Sequence, residues 1–261
     1  MRKSQKLLVG LASLTLWDIA VASAADLPVK AQPPAPVATY NWSGFYVGVH
    51  AGYRWADASF SGPGFDFNTG NTIRTFPPRN ESYHPNGGIA GVQAGYNFMI
   101  TPAILAGIEG DWSYGSGSDS LSGAGLFDPT GIDGFTFHSQ VQLTWQATVR
   151  GRLGVVNGPW LIYGTGGAAF TRAHWNDSYT LASAGTTFAS SSDGSKTLSG
   201  WTVGGGVEYM FASNSNWIAR LEYLYENFGN VTVPFGFGQI GTLDLKDVNK
   251  VRLAISYKFN P

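Results

Sequence analysis

Residues 140–156 read QVQLTWQATVRGRLGVV, and this stretch decides the fold class. Most of its odd-numbered positions are apolar, whereas its even-numbered positions up to 152 carry glutamine, threonine and the arginines Arg150 and Arg152. An alternation with a period of two predicts a β-strand with one apolar and one polar face. Soluble strands usually have about 5 or 6 residues, whereas a strand that crosses a bilayer needs about 9 to 11. The stretch is therefore long enough to cross a membrane and project beyond it.

Seven further segments repeat this alternation, so eight strands are predicted. The other seven cover residues 44–55, 86–98, 103–114, 160–171, 198–211, 217–227 and 249–260. Short connections of about 4 or 5 residues alternate with long ones of roughly 20 to 30, which is the pattern of periplasmic turns and extracellular loops. The sequence therefore predicts an all-β fold, an eight-stranded up-and-down antiparallel transmembrane β-barrel.

The long connections are rich in glycine, serine and asparagine, which predicts surface loops. They cover residues 56–85, 115–138, 172–197 and 229–248. Host or surface ligands are expected to bind through these loops. The other expected partners are outer-membrane lipid with lipopolysaccharide and the barrel assembly machinery. The chain is expected to be a monomer that binds no nucleic acid.

The same alternation would also suit a soluble eight-stranded calyx whose apolar face points inward. Long strands, uncharged apolar faces and aromatic residues near the strand ends favour the membrane barrel. The aromatic residues expected at the membrane interfaces are Tyr53, Trp55, Trp112, Trp160, Trp201, Trp217, Tyr257 and Phe259. In the opening stretch, the side chains expected to face lipid are Val141, Leu143, Trp145, Val149 and Leu153, and those expected to face the lumen are Gln142, Gln146, Arg150 and Arg152.

The start of the chain has the features of an export signal. A positively charged beginning, an apolar run over residues 7–16 and small residues at Ala22-Ser23-Ala24 predict a cleaved secretory signal peptide. The complete absence of cysteine excludes disulfides and thiolate metal sites. The predicted domains are the signal peptide at 1–24, a Pro-rich periplasmic N-terminal segment at 25–43 and the outer-membrane barrel at 44–261.

Inward-pointing polar faces would collect charges of both signs in the lumen. The predicted lumenal polar network consists of Arg54, Glu109, Asp111, Arg150, Arg152, Glu208, Arg220, Glu222, Arg252 and Lys258. An eight-stranded barrel is just wide enough for side chains to fill its interior, and a buried charge needs a partner. The set is therefore interpreted as structural filling by ion pairs, and a narrow gated or leaky pore is the alternative.

The candidate catalytic residues are the three histidines in or beside the predicted loops, His84, His138 and His174. They suggest an outer-membrane rim enzyme, such as a lipid A hydrolase or a protease, only weakly, because no nucleophile-elbow motif accompanies them. No cluster has the spacing of metal ligands. No catalytic, cofactor-binding or metal-binding residue is predicted, and no cofactor is expected.

Five segments carry a resemblance to a known family, and they read ADLP (25–28), WSGFYVG (42–48), GVQAGYN (91–97), GIEGD (107–111) and VRLAISYKF (251–259). They resemble the small outer-membrane β-barrel proteins of alphaproteobacteria, often called outer membrane immunogenic proteins. The resemblance implies an abundant surface protein that supports envelope integrity and is sometimes described as porin-like. One departure is that Asn260 and Pro261 follow Phe259, whereas such barrels usually end on the aromatic residue that the assembly machinery reads.

Overall fold

The computed structural model describes residues 40–70, 73–127, 133–183, 185–213 and 215–259. By its internal contacts the chain divides into Met1–Val37 and Ala38–Pro261, and the second unit contains the barrel. The predicted signal peptide and residues 25–39 of the predicted Pro-rich segment lie outside the described residues.

The described part of the chain contains twelve β-strands and one short 3-10 turn at Gly236–Gly238. The strands are β1 (Gly44–Gly62), β2 (Phe65–Asn68), β3 (Ile73–Phe76), β4 (Arg79–Tyr83), β5 (Asn86–Thr101), β6 (Ile104–Leu126), β7 (Gly134–Asn157), β8 (Trp160–Ser183), β9 (Thr186–Met210), β10 (Trp217–Asn227), β11 (Gly229–Phe235) and β12 (Gln239–Lys258). In this part of the chain, no helix is both long and apolar enough to span a membrane.

Eight strands close a ring in the order β1, β5, β6, β7, β8, β9, β10 and β12, and β12 pairs back with β1. Paired residues followed around this ring lead from Trp55 on β1, through Asn249 on β12, back to Phe45 on β1. The path ends ten residues from where it began, from position 55 to position 45, and this stagger tilts the strands by about 40°. The predicted eight-stranded antiparallel barrel is confirmed.

The lower part of the barrel, from the strand ends at Gly44 and Lys258 up to the level of Trp55, has an apolar outer surface. Aromatic rings concentrate at both ends of this zone. At its upper end they are Tyr53, Trp55, Trp112, Tyr114, Trp201 and Tyr223, and at its lower end Phe45, Tyr96, Phe98, Trp160, Phe211, Trp217 and Phe259. An apolar band between two aromatic girdles is typical of a barrel that spans a membrane.

Above Trp55 the ring divides into two facing sheets. β9 pairs with β10 only up to Trp201–Asn227, and β5 pairs with β6 only up to Asn86–Ser118. Beyond these points, one sheet consists of β4, β1, β12 and β11, and the other of β6 to β9. Their facing side chains form one apolar core, so we call this part the upper sandwich.

The prediction of long loops at 56–85, 115–138, 172–197 and 229–248 is wrong, because strands occupy most of each segment. The outward face of the upper sandwich is serine-, threonine- and glycine-rich, and this composition resembles that of a loop. Its inward face carries the apolar residues, for example Phe60, Trp175 and Leu243. Polarity is therefore inverted relative to the lower barrel, since the outer surface above the girdle meets water instead of lipid.

A β-bulge interrupts β7 between Leu143 and Gln146, where the register with β8 shifts. The register between β6 and β7 also shifts, at Tyr114/Gly117. An extra residue in one strand turns the side chains beyond it to the opposite face. Below the bulge, the even-numbered side chains of β7 point inward, and above it the odd-numbered ones do.

The prediction that Val141 and Leu143 face lipid is therefore wrong. Their side chains are 4% and 0% exposed and lie in the core of the upper sandwich. Gln142, predicted to face the lumen, lies on the opposite, outer face. Below the bulge, Val149 and Leu153 are 64% and 60% exposed on the outer surface, as their predicted lipid-facing positions require.

Candidate functional site

Eight of the ten predicted lumenal residues meet in one connected network inside the lower barrel. They are Glu109, Asp111, Arg150, Arg152, Glu208, Arg220, Glu222 and Arg252. Their side chains are at most 2% exposed, and four guanidinium groups balance four carboxylates. We call this set the ionic layer.

Arg150 lies at the centre of the ionic layer. Its Nη2 is 2.5 Å from Glu109 Oε1 and 3.0 Å from Asp111 Oδ2, and its Nη1 is 3.0 Å from Glu222 Oε1. Arg252 closes this part of the network, with Nε 2.6 Å from Glu222 Oε2 and Nη1 3.0 Å from Asp111 Oδ1. Each guanidinium thus bridges carboxylates from different strands, which links β6, β7, β10 and β12.

Arg220 and Arg152 form the second half of the ionic layer. Arg220 Nη1 is 2.6 Å from Glu109 Oε2, and its Nε is 2.7 Å from Glu208 Oε1. Arg152 Nη2 is 2.6 Å from the same oxygen of Glu208. The Tyr46 hydroxyl donates a hydrogen bond of 2.5 Å to Glu109 and accepts one of 2.9 Å from Arg152. β1 and β9 are thereby joined to the network.

Sequence reasoning missed three neutral members of this site. Tyr46 and Tyr163 donate hydrogen bonds to Glu109 and Glu222, and Thr148 donates one to Asp111. The signal for Tyr46 was present, because it shares the inward face of β1 with His50 and Arg54. The predicted network was built from charged residues, and these neutral hydroxyl groups carry no charge.

The remaining two predicted residues lie outside the ionic layer. Arg54 is above it and donates a hydrogen bond of 2.8 Å to the Leu143 carbonyl. Lys258 is at the lower end, where its Nζ donates one of 3.2 Å to the Ser43 carbonyl.

Apolar clusters lie at both ends of the barrel, below and above its buried polar side chains. At the lower end, buried side chains close around Trp42, whose Nε1 donates a hydrogen bond of 3.2 Å to the Gly158 carbonyl. The other buried members of this lower cluster are Leu105, Leu161, Tyr163, Met210 and Ile218. At the upper end lies the core of the upper sandwich. From bottom to top, the interior is therefore filled by apolar side chains, then by polar and charged ones, and then by apolar ones again.

Residues 19–259 match the family described as outer membrane protein beta-barrel domain. The chain belongs to this family. It is 33% identical over 257 residues to the 31 kDa outer-membrane immunogenic protein of Brucella melitensis biotype 1, which covers 95% of this chain and 98% of the relative. It is 28% identical over 261 residues to the 25 kDa outer-membrane immunogenic protein of Brucella abortus biovar 1, with coverage of 94% and 99%. A 22 kDa outer membrane protein of Rhizobium leguminosarum bv. viciae is 30% identical over 219 residues, with coverage of 84% and 79%.

Membership of the outer-membrane β-barrel family shows where the protein is located, and the short turns of the barrel indicate its orientation. The protein lies in the outer membrane of a Gram-negative cell, and the predicted resemblance to small alphaproteobacterial barrels is confirmed. In such barrels short turns face the periplasm, so the upper sandwich is extracellular.

The three candidate catalytic histidines lie on the extracellular part of this outer-membrane β-barrel protein. His138 bonds Ser122 at 2.8 Å, and His174 Nε2 is 3.3 Å from Asp193. His174 is paired with position 142 of β7, four residues from His138, which separates the two histidines by about 13 Å along the strand. His84 Nε2 is 3.5 Å from Asp57. Among the described residues, no group of three or more acidic, histidine or cysteine side chains could hold a metal ion.

Proposed function

We propose that this protein is a structural outer-membrane barrel with a sealed lumen, which supports envelope integrity and presents the upper sandwich at the cell surface. The observation that carries the proposal is the ionic layer, whose eight charged side chains are at most 2% exposed. A channel needs a continuous path for water, and the burial of these side chains supports a lumen that is closed at their level.

The ionic layer also supports a mechanical role. With Tyr46 and Tyr163, its members come from β1, β6, β7, β8, β9, β10 and β12, which are seven of the eight barrel strands. A buried ion pair that loses one partner leaves an uncompensated charge, which costs about 3–5 kcal/mol. The network therefore opposes separation of the strands and specifies one register.

Contacts with the surroundings follow from the outer surface. The apolar band suits outer-membrane lipid, and the polar outer face of the upper sandwich suits lipopolysaccharide sugars and surface or host ligands. Such ligands would meet β-sheet over residues 172–183 and 186–197 instead of irregular loops. We also propose that the protein folds with the barrel assembly machinery and acts as a monomer.

Planar-bilayer recording tests the sealed lumen. The folded protein should give no steady single-channel conductance. The double variant Arg150→Ala/Asp111→Ala removes side chains from the centre of the ionic layer and should give conductance events under the same conditions. Steady conductance of the correctly folded, unmodified protein would refute the sealed lumen.

A narrow porin-like channel is the second candidate function. The observation that favours it is the run of charged side chains along the lumen, from Arg220 through Arg150 to Lys250. This function requires the ion pairs to rearrange within the membrane. Conductance that appears only above a threshold voltage in the unmodified protein would support it.

We propose that the protein has no catalytic activity, in keeping with a family of outer-membrane barrels that are not known as enzymes. Replacing His84, His138 and His174 together by alanine should leave the lipid A species and the peptides of the envelope unchanged. A changed lipid A profile would instead support the hypothesis of an outer-membrane rim enzyme.

A further inference from the structure

A second polar level lies between the ionic layer and the upper sandwich, and we call it the bulge layer. It consists of Arg54, Gln146, Glu226 and Lys250, whose exposed fractions are 1%, 0%, 0% and 0%. Arg54 on β1 and Lys250 on β12 are direct cross-strand partners, and both point inward. Like charges directly opposite each other in a sheet are destabilising, so the position needs negative charge.

The carboxylate of the bulge layer is that of Glu226, and it forms an ion pair with Lys250. Lys250 Nζ is 2.5 Å from Glu226 Oε1. Within the described chain, Arg54 has no carboxylate at ion-pair distance. Because the ionic layer is balanced, four against four, the two layers together hold six cations and five carboxylates. With Arg54 and Lys250 both protonated, the two layers therefore carry one more positive than negative charge, and an excess buried charge is costly.

Two buried hydrogen-bond donors of the bulge layer lack a partner, one on Arg54 and one on Gln146. Arg54 Nη2 donates to the Leu143 carbonyl at 2.8 Å, whereas Nε has no partner in the described structure. Gln146 is the next inward residue after Leu143 on β7, because the bulge removes the two positions between them from the inward face. Both amide atoms of Gln146 are buried and lack a partner among the described groups. Water would satisfy these donors but would leave the excess charge.

We propose that Arg54 and Gln146 bind a small monovalent inorganic anion, chloride in the cell, inside the barrel at the bulge. The Arg54 guanidinium supplies the charge and the Nε donor, and the Gln146 amide supplies the second donor. The anion neutralises the interior and separates Arg54 from Lys250. The apolar sandwich above and the ionic layer below enclose it, so it enters as the barrel folds.

Bromide provides a direct probe on the unmodified chain. The protein is refolded from urea into detergent in potassium bromide and crystallised, and anomalous diffraction is collected at the bromine edge. The expected result is one enclosed anomalous peak beside Arg54 Nε and Gln146. Electron density for water alone at this position would overturn the proposal.

Stability measurements provide the second test, with a variant that supplies its own negative charge. The thermal midpoint, followed by the mobility shift on semi-native gels, is compared in potassium chloride and potassium gluconate at equal ionic strength. Chloride should raise the midpoint of the unmodified protein by a few degrees, because gluconate is too large for the site. Gln146→Glu should abolish this difference and raise the midpoint in gluconate. An equal chloride effect in Gln146→Glu, or no effect in the unmodified protein, would overturn the proposal.

Discussion

Charge balance in the ionic layer can be tested by removing one cation and one carboxylate, separately and together. Arg150→Met deletes a guanidinium that contacts Glu109, Asp111 and Glu222 at 2.5, 3.0 and 3.0 Å. Asp111→Asn deletes one negative charge and keeps an amide oxygen that can still accept from Arg252 Nη1. The double variant leaves three cations against three carboxylates.

The expected magnitudes follow from burial. Breaking a buried pair by removing one partner costs about 3–5 kcal/mol, because the other charge stays buried without compensation. Arg150→Met and Asp111→Asn should each lose about this much unfolding free energy. The double variant restores neutrality, so it should be more stable than either single variant, with a coupling energy above about 2 kcal/mol.

Urea unfolding and refolding in lipid vesicles, followed by tryptophan fluorescence, measures all four proteins. The measured quantity is the unfolding free energy of the unmodified, single and double forms. If the losses of the two single variants simply add in the double variant, the two side chains are not coupled and the reasoning fails. Losses below about 1 kcal/mol would place the network in water-like surroundings, as in an open pore.

Two further predictions concern the extracellular part. Leu143→Ala should lower the unfolding free energy by about 3–5 kcal/mol, because this leucine is fully buried in the sandwich core. The matched Gln142→Ala change on the outer face should alter it by no more than about 0.5 kcal/mol. The same urea titration measures both variants, and a larger loss for Gln142→Ala would contradict the assignment of the two faces. Burial raises the pKa of Asp177, more than its Ser139 hydrogen bond and Arg79 lower it. Its folded state therefore binds the proton more readily, and stability falls as pH rises from about 3.9 through the raised pKa. Asp177→Asn should stabilise the protein at pH 7 and lose that advantage at lower pH, and urea midpoints at several pH values measure this; a variant that is less stable at pH 7 would show that the charged form is favoured.

Strand alternation predicted the barrel well, because each lower strand meets lipid outside and charge inside. The residues Glu109, Arg150 and Arg252 were identified simply because they share the polar face of their strands. Their pairing could not be predicted, since it depends on the stagger of ten residues around the ring. Tyr46 was not predicted for a different reason. A tyrosine on a polar face can serve either packing or hydrogen bonding, and its role is clear only once a carboxylate is found beside it.

The upper sandwich was missed because its signal is weaker and has the opposite orientation. Over residues 172–183, Ala173, Trp175, Tyr179 and Leu181 do alternate, and all are buried. The buried carboxyl of Asp177 interrupts that series, and serine and asparagine fill the outer face. A strand with a charged residue on its apolar face and small polar residues on its other face resembles a loop in composition.

The inversion of polarity is reached by two different routes. On β1 the inward face stays on the even positions, and the residue type changes from Arg54 to Ala56, Ala58 and Phe60. On β7 the residue pattern stays unchanged through residues 140–156, and the bulge changes the face. That unchanged pattern was itself informative. Seventeen residues at about 3.3 Å each, tilted by about 40°, rise about 43 Å, whereas the apolar band of such barrels is about 25 Å tall. A strand that keeps one apolar face for longer than the membrane is thick must turn that face inward where the lipid ends, and the bulge between Leu143 and Gln146 is where β7 does so.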